Sequence, residues 1–213
     1  MALVVNEIFR SVQGESTYSG CLCTFVRLTG CNLRCSYCDT PYAYEQGDAM
    51  TVEEVLQRVR RYGTRLVEIT GGEPLLQDET PELVQTLLRA GHQVLVETNG
   101  SLDMGALPEG AVRVVDIKCP GSGMSERMLW ENFEHLRPAD QVKFVITDRH
   151  DYDWAKDVVE RYDLAEQVTV LFSPAFERLR AEELANWIVH DNLPVRFQVQ
   201  LHKVVWGPAA EGV

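Results

Sequence analysis

Positive charge is scarce in this sequence. Its 213 residues include 20 Lys and Arg against 32 Asp and Glu, which gives a formal net charge of −12. Proteins that bind nucleic acid neutralise phosphates with clustered Lys and Arg. The densest basic stretch, Arg58, Arg60 and Arg61, has the spacing of a solvated helix face instead. We therefore expect no nucleic-acid partner.

Long hydrophobic runs are also absent. No apolar run approaches the ~20 residues that a helix needs to cross a bilayer, and Met1 to Glu7 lack the basic region of a signal peptide. We expect a cytoplasmic protein without a membrane partner. Because repeats, linkers and low-complexity segments are missing too, the length predicts one domain, residues 1–213.

The sequence does contain six cysteines, and three of them are clustered. Cys31, Cys35 and Cys38 form a C-x3-C-x2-C pattern, followed at once by Asp39 and Thr40. In a reducing compartment such a cluster indicates metal binding or catalysis rather than disulfides. Soft thiolate ligands suit iron–sulfur clusters or zinc.

The number of thiols helps to separate these two metals. A structural zinc site takes four protein ligands, and a four-iron cluster usually takes four cysteines. Three cysteines therefore leave one iron open to a ligand that is not protein. The alternative is a zinc site completed by Cys21, Cys23 or a distant histidine.

Strand and helix patterns alternate along most of the chain. We predict strands over 3–9, 22–28, 65–70, 93–97, 111–118, 141–147, 168–172 and 195–201. We predict helices over 52–62, 81–90, 126–136, 152–162 and 179–189. Thr51 and Glu54 form a capping box, Gly63 ends that helix, and Thr80 is the expected N-cap before Pro81.

This alternation predicts an α/β fold with a parallel sheet. A closed eightfold barrel typically needs ~250 residues. We therefore predict a partial, open TIM-like barrel of about six parallel strands, with flanking helices and a short N-terminal hairpin.

Polar residues stand within or at the ends of several predicted strands. Arg27 interrupts an apolar strand, so it either pairs with an internal carboxylate or holds an anionic ligand. Gly71 and Gly72 let a backbone approach a ligand closely. Glu97 is suited to accept from ribose hydroxyls, or is a solvated carboxylate at a strand end. Lys118 is expected on the same rim as the cysteines if the strands are parallel.

The cysteine pattern, with Tyr37 before the last cysteine, and the Gly71-Gly72-Glu73-Pro74 segment resemble the radical SAM superfamily. The resemblance implies a 4Fe-4S cluster on Cys31, Cys35 and Cys38. It also implies S-adenosylmethionine (SAM) on the fourth iron as the source of a 5′-deoxyadenosyl radical. The residues expected to bind the cofactor are Tyr37, Cys38, Asp39, Gly72, Glu97, Asp116, Lys118 and Ser173.

A narrower resemblance covers nearly the whole chain. It lies in segments 7–9, 11–15, 25–28, 31–40, 70–74, 97–100, 116–118 and 200–203, which look like the 7-carboxy-7-deazaguanine synthase family. The resemblance implies conversion of 6-carboxy-5,6,7,8-tetrahydropterin to 7-carboxy-7-deazaguanine with loss of ammonia. In that family the radical takes hydrogen from C6 of the pterin, the ring contracts, and SAM is regenerated. Mg2+, a flavodoxin- or ferredoxin-type reductant and a homodimer are expected.

The same resemblance suggests residues for the substrate. Gln13, Gly14 and Glu15 can read the amide-like edge of a pterin, and Arg27 suits its carboxylate. Thr40 is the expected Mg2+ ligand, unless it only caps the following turn. His202 is either a substrate contact or a packed, hydrogen-bonded histidine. The complete predicted substrate set is Val12, Gln13, Gly14, Glu15, Arg27, Thr70, His202 and Val213.

Two other functions remain open from the sequence. A glycyl-radical-enzyme activase shares the cysteine pattern but has no need of Gln13, Gly14, Glu15 and Arg27. A zinc-binding adaptor module leaves the Gly71–Pro74 segment and the polar strand ends unexplained.

Overall fold

The backbone of the computed structural model is described for residues 2–208, 210 and 212. The strands in chain order are β1 Leu3–Val12, β2 Leu22–Leu28, β3 Asp48–Met50, β4 Leu66–Gly71, β5 Gln93–Thr98, β6 Val112–Ile117, β7 Gln141–Ile146, β8 Thr169–Pro174 and β9 Arg196–Phe197. The helices are α1 Val52–Tyr62, α2 Thr80–Arg89, α3 Arg149–Arg161, α4 Leu164–Gln167, α5 Ala181–Asp191 and α6 Leu201–Trp206. No helix within these ranges combines the length and apolar character of a membrane span.

All described strands belong to one sheet, in the order β3-β1-β2-β4-β5-β6-β7-β8-β9. β1 pairs antiparallel with β2 and β3, whereas every pair from β2 to β9 is parallel. The edges β3 and β9 do not pair with each other in the described chain, so the barrel is open. The predicted open α/β barrel is confirmed, with seven parallel strands instead of about six.

The two faces of this sheet differ in chemistry because side chains alternate along a strand. The face toward the helices is apolar, as in Val26, Ile69 and Phe144, and forms the main core. On the other face, strand after strand carries polar residues. This inner face includes Arg27, Glu68, Thr70, Glu97, Asp116 and Lys143.

The inner face has an apolar floor near the amino ends of the strands. Cys23, Leu66, Leu95 and Val112 pack there beneath the partly buried Tyr18. The segment after β1 crosses the interior above this floor. Its Thr17 amide donates to Gln141 Oε1 at 2.8 Å, and Gln198 Nε2 donates to the Ser16 carbonyl at 2.8 Å. The polar interior is thus closed at one end of the barrel.

Local sequence signals give α1 its bounds. Thr51 Oγ1 accepts from the Glu54 amide, while the Glu54 carboxylate accepts from the Thr51 amide. Gly63 follows at φ 66°, the left-handed conformation that ends many helices. The predicted capping box and stop are confirmed. At α2 the prediction was wrong, because Thr80 is the first helical residue and its hydroxyl donates to the Pro74 carbonyl.

Two further element predictions were wrong. Residues 126–136 form 3-10 turns rather than an α-helix, because Asn132 binds the backbone of Gly100, Leu102 and Met104 and holds the segment in place. The last strand covers only Arg196–Phe197, and residues 201–206 are helical.

Other boundaries moved by a few residues. β1 continues to Val12 rather than stopping at residue 9, because it pairs with β2 as far as Leu22.

Candidate active site

A cavity of about 280 Å3 opens on the inner face of the sheet. Predicted cluster, magnesium and cofactor residues that line it are Cys31, Cys35, Tyr37, Cys38, Asp39, Thr40, Gly72, Glu97, Asp116 and Lys118. Predicted substrate residues that line it are Val12, Gln13, Gly14, Glu15, Arg27, Thr70 and His202. Ser173 is buried on β8 and does not line the cavity. Val213 lies outside the described residues.

The three clustered thiols share one end of this cavity. Their loop follows β2 and is fixed by contacts with other loops. The Ser36 amide donates to the Ser122 carbonyl at 3.0 Å, and its hydroxyl donates to the Gly121 carbonyl at 2.7 Å. Arg178 adds a 2.5 Å bond from Nη2 to the Ser36 carbonyl. The loop is thus held independently of any bound group.

Two donors point at the sulfur of Cys31. The Leu33 amide lies 3.4 Å from Sγ, and Asn99 Nδ2 lies 3.8 Å from it. Hydrogen bonds of this kind tune thiolate-bound iron–sulfur clusters. The donor set therefore fits a cluster held by Cys31, Cys35 and Cys38.

The other cysteines do not complete a four-ligand zinc site in the described chain. Cys23 lies in the apolar floor, five residues before the end of β2, which is about 16 Å at ~3.3 Å per residue. Cys21 is exposed and precedes that strand, and Cys119 is buried outside the cavity. The zinc alternative thus loses Cys21 and Cys23 as its fourth ligand.

The Gly71–Pro74 segment approaches the cysteine loop closely. The Glu73 amide donates to the Gly30 carbonyl at 2.7 Å. The buried Glu73 carboxylate accepts from the amides of Leu75 and Asn99 and from the Thr98 hydroxyl, at 2.6 to 2.9 Å. Burial raises the pKa of Glu73 to about 7 against the effect of these donors. Glu73 thereby ties the ends of β4 and β5 together beside the thiols.

Gly72→Ala is expected to destabilise the protein. A Cβ at residue 72 would lie 2.0 Å from the Gly30 carbonyl oxygen, which is backbone and cannot rotate away. Overpacking should lower the free energy of unfolding by about 1–3 kcal/mol. Urea unfolding of the variant and the wild type will measure this difference. Gly110→Ala is the control, because its Cβ would meet only the tip of Leu88 at 3.1 Å. Equal stability of the two variants would contradict the close approach.

Several acceptors and donors next to the thiols are unused. Asp116 Oδ2 pairs with Lys118 Nζ at 3.0 Å, and Oδ1 has no partner among the described residues. The buried Tyr37 hydroxyl also lacks one there, and burial raises its pKa well above the usual range. Asp39 differs from these groups, because its Oδ2 pairs with Lys203 at 2.6 Å. A polar ligand in the cavity would supply partners for these buried groups.

Ser173 also carries a buried polar group without a partner among the described residues, although it does not line the cavity. Its hydroxyl is buried and without a partner in the described chain. It sits opposite Val145 of β7, and Val145 does line the cavity.

Arg27 pairs with an internal carboxylate, which is the first of the two roles that its position suggested. Its Nε donates to Glu7 Oε1 at 2.7 Å, and the guanidinium lies 5.7 Å from the Phe9 ring and 5.8 Å from the Tyr42 ring. The Tyr42 hydroxyl donates to the same Glu7 oxygen. The two terminal amino groups of Arg27 make no hydrogen bond to a described residue. Arg27 lines the cavity, and its two terminal amino groups form a fork that suits a carboxylate.

Gln13 is more engaged with the protein than its predicted role requires. Its Oε1 accepts from the amides of Glu15 and Ser16, both at 3.0 Å, and its Nε2 donates to Glu68 at 3.0 Å. One Nε2 hydrogen is left for a ligand. Burial, together with nearby Glu97, raises the pKa of Glu68 well above its usual range, which favours the protonated carboxyl.

His202 and Lys203 lie on α6, whose first residue, Leu201, was predicted to end the last strand. The Leu201 amide donates to the Gly14 carbonyl at 3.1 Å, and His202 Nε2 lies 3.6 Å from Glu15 Oε1. A Cβ on Gly14 would meet the His202 ring at 2.7 Å. α6 therefore covers the Gln13–Glu15 segment directly, and glycine is required at residue 14 for this approach.

Thr40 lies beside the thiols, with Oγ1 3.9 Å from Cys38 Sγ. It precedes a 3-10 turn over Pro41–Tyr44, but its side chain makes no capping bond there. The alternative role as a cap is therefore not observed. Glu97 is likewise not a solvated strand end, because Lys143 Nζ lies 2.5 Å from its carboxylate.

Sequence reasoning missed Lys143, Glu68, Glu7 and Gln200. Lys143 and Glu68 stand inside apolar strands, as Arg27 does, and that shared signal was available. Glu7 and Gln200 gave no such signal, because their roles come from contacts between distant segments: Glu7 with Arg27, and Gln200 with Glu15 at 3.0 Å.

Comparison with known proteins agrees with this geometry. Residues 25–162 match the Radical SAM superfamily. A 7-carboxy-7-deazaguanine synthase of Koribacter versatilis is 42% identical over 98% of this chain and 99% of its own. That of Chlorobaculum tepidum is 42% identical over 99% and 97%. The crystal structure of QueE from Escherichia coli shares the fold, with a TM-score of 0.78, 22% identity and 94% coverage of each chain. This chain therefore belongs to the radical SAM superfamily and, within it, to the 7-carboxy-7-deazaguanine synthase family.

Proposed function

We propose that this protein converts 6-carboxy-5,6,7,8-tetrahydropterin to 7-carboxy-7-deazaguanine with loss of ammonia. One observation carries the proposal: a single cavity has a three-thiol corner and, along the same inner face, the amide, carboxyl and guanidinium groups of Gln13, Glu68 and Arg27. The three thiols suit the iron–sulfur cofactor of the family. The amide, carboxyl and guanidinium groups suit a flat pterin that carries an amide-like edge and a carboxylate. A radical enzyme that activates another protein has no use for the groups that suit a pterin.

The cofactor side is built by the loops after β2, β4 and β6, together with single residues of the strands β5, β6 and β8. Cys31, Cys35 and Cys38 hold the 4Fe-4S cluster and leave one iron for SAM. Tyr37, Cys38, Asp39, Gly72, Glu97, Asp116, Lys118 and Ser173 are the proposed SAM-binding residues. When bound, the cluster and SAM supply a 5′-deoxyadenosyl radical that takes a hydrogen atom from the pterin.

The substrate side combines the segment after β1 with Arg27 and Thr70, which pair near the carboxyl ends of β2 and β4. Arg27 binds the carboxylate through its two free amino groups, and Thr70 adds a hydroxyl contact. Val12, Gly14 and Glu15, with the remaining Nε2 hydrogen of Gln13, bind the pterin edge. His202 covers this segment from α6, and Val213 completes the proposed set.

Other properties follow from the family. Thr40 contributes an oxygen ligand to Mg2+, a cation that prefers oxygen and keeps several waters. A flavodoxin- or ferredoxin-type protein supplies the electron, and the chain works as a homodimer. Residues 1–213 act as one radical SAM core domain in the cytoplasm, where thiols stay reduced.

Glu7→Gln and Glu7→Leu are expected to separate two effects at Arg27. Glutamine retains an acceptor for Arg27 Nε, whereas leucine lets the fork turn away from the substrate carboxylate. One hydrogen bond contributes about 0.5–1.5 kcal/mol, so the KM for the pterin should rise roughly 2- to 12-fold in the leucine variant and less in the glutamine variant. Steady-state kinetics will check this. A leucine variant with wild-type KM would show that Glu7 does not orient Arg27.

The decisive assay supplies anaerobically reconstituted protein with SAM, dithionite, Mg2+ and the carboxytetrahydropterin. Mass spectrometry should detect 7-carboxy-7-deazaguanine. Omitting SAM is the control and should give none. A cluster-loaded sample that cleaves SAM but forms no deazapurine would overturn the substrate assignment, and retain the superfamily.

A further inference from the structure

Lys143 is buried at the centre of the cavity wall, with 2% of its side chain exposed. Its ammonium lies 2.8 Å from Glu15 Oε2, 2.5 Å from Glu97 Oε1 and 3.1 Å from Asp116 Oδ2. An ammonium has three donors, and three carboxylates occupy them. Lys143 therefore has no donor left for a ligand, and its role must act through the carboxylates.

These carboxylates come from separate parts of the fold. Glu15 belongs to the segment after β1, Glu97 is the penultimate residue of β5, and Asp116 lies on β6 beside Lys118. Each uses one oxygen for Lys143. The second oxygen of Glu97 lies 3.4 Å from the Thr70 hydroxyl, and the Glu97 carboxyl also interacts with Glu68. The second oxygen of Asp116 has no partner in the described chain. Lys143 thus aims acceptors into the cavity.

Lys143 remains protonated although it is buried. Burial alone would lower its pKa, but Asp116, Glu15 and Glu97 raise the pKa well above its usual range. Burial would raise the pKa of Glu15, yet Lys143 and then His202 hold it well below the ordinary value. Lys143 and Glu15 therefore stay ionised, and without the lysine three carboxyl groups would converge with no cation between them.

We propose that Lys143 is a positioning residue that couples the two binding events, because it joins Glu15 on the pterin side to Glu97 and Asp116 on the SAM side. Ordering of the carboxylates by one ligand prepares the site for the other. Coupling of this kind is reciprocal between ligands. The inference rests on the proposed function, since it assigns pterin and SAM to the two sides.

The test measures binding rather than turnover. Calorimetry on the anaerobic, cluster-loaded enzyme without reductant gives the SAM dissociation constant with and without carboxytetrahydropterin. In the wild type, the pterin should lower that constant at least ~5-fold. In Lys143→Met and in Lys143→Arg, which keeps the charge but not the three-way geometry, the ratio should fall to about 1. A merely structural lysine would weaken both affinities and leave their ratio unchanged.

Lys156→Met is the matched control, because Lys156 lies on the outer α3 and pairs with Asp191 at 3.0 Å. It should keep the wild-type ratio. If Lys143→Met does not fold, as thermal melting will show, Lys143→Arg and the double variant Glu15→Gln with Lys143→Met decide. If pterin leaves the SAM dissociation constant of the wild type unchanged, the coupling role of Lys143 is overturned but the proposed function is not. The same holds if the folded Lys143 variants keep the wild-type ratio of the two constants. A wild type that binds no pterin overturns the coupling role together with the proposed function.

Discussion

Replacing Cys35 with serine is expected to remove the iron–sulfur cluster and all product formation. Two thiolates cannot hold a four-iron cluster that already has one iron without a cysteine. The rate should fall to that of the uncatalysed reaction, at least ~10^6-fold and below detection. Iron analysis, visible absorbance after anaerobic reconstitution and the deazapurine assay will measure the loss.

The fold should survive this change. The cysteine loop is held through the backbone and hydroxyl of Ser36, which do not depend on the metal. Cys21→Ser is the control, since Cys21 is exposed and precedes β2 at the far end from the loop. It should keep iron and activity. A Cys35→Ser protein with full iron content would show that another side chain holds the cluster.

Arg27→Ala is expected to have the second largest effect, and it should fall on the substrate alone. The guanidinium lies 5.7 Å from the Phe9 ring and 5.8 Å from the Tyr42 ring, and Arg27 lines the cavity. Hydrogen bonds to charged groups contribute about 1.5–3 kcal/mol, so pterin binding should weaken roughly 10- to 150-fold. Arg27→Lys keeps the charge but loses the fork, and should fall between the wild type and alanine.

SAM cleavage in the absence of pterin distinguishes this role from a general defect. It should be unchanged in Arg27→Ala, because Arg27 is outside the proposed SAM-binding set. Arg10→Ala is the control on the neighbouring strand, where Arg10 is exposed and donates to the Tyr62 carbonyl. Loss of the cluster or of SAM cleavage in Arg27→Ala would contradict the assignment of Arg27 to the substrate.

The sequence predicted features that depend on a few neighbouring residues. The capping box of Thr51 and Glu54 needs only its own turn of helix, and it is present. The cysteine spacing and the glycines before Glu73 are equally local, and the structure brings both to one end of the cavity. Buried strands were also recognisable, because parallel strands covered on both sides are apolar for most of their length.

The misses depend on contacts between distant segments. Residues 195–201 have the composition of a strand, yet β9 stops at Phe197, and the Leu201 amide binds the Gly14 carbonyl instead. Glu15, Glu97 and Asp116 converge on Lys143. This convergence depends on how the sheet curves and on where the segment after β1 crosses the interior. A sequence pattern records which residues alternate along a strand but not which strands face each other across a barrel.

The central claim is that three thiolates hold a cluster whose remaining iron binds SAM. Electron paramagnetic resonance of the dithionite-reduced, reconstituted protein, recorded before and after addition of SAM, tests it most directly. We predict the signal of a reduced 4Fe-4S cluster that changes when SAM is added. A colourless, zinc-filled protein, or a cluster signal that SAM leaves unaltered, would contradict the account.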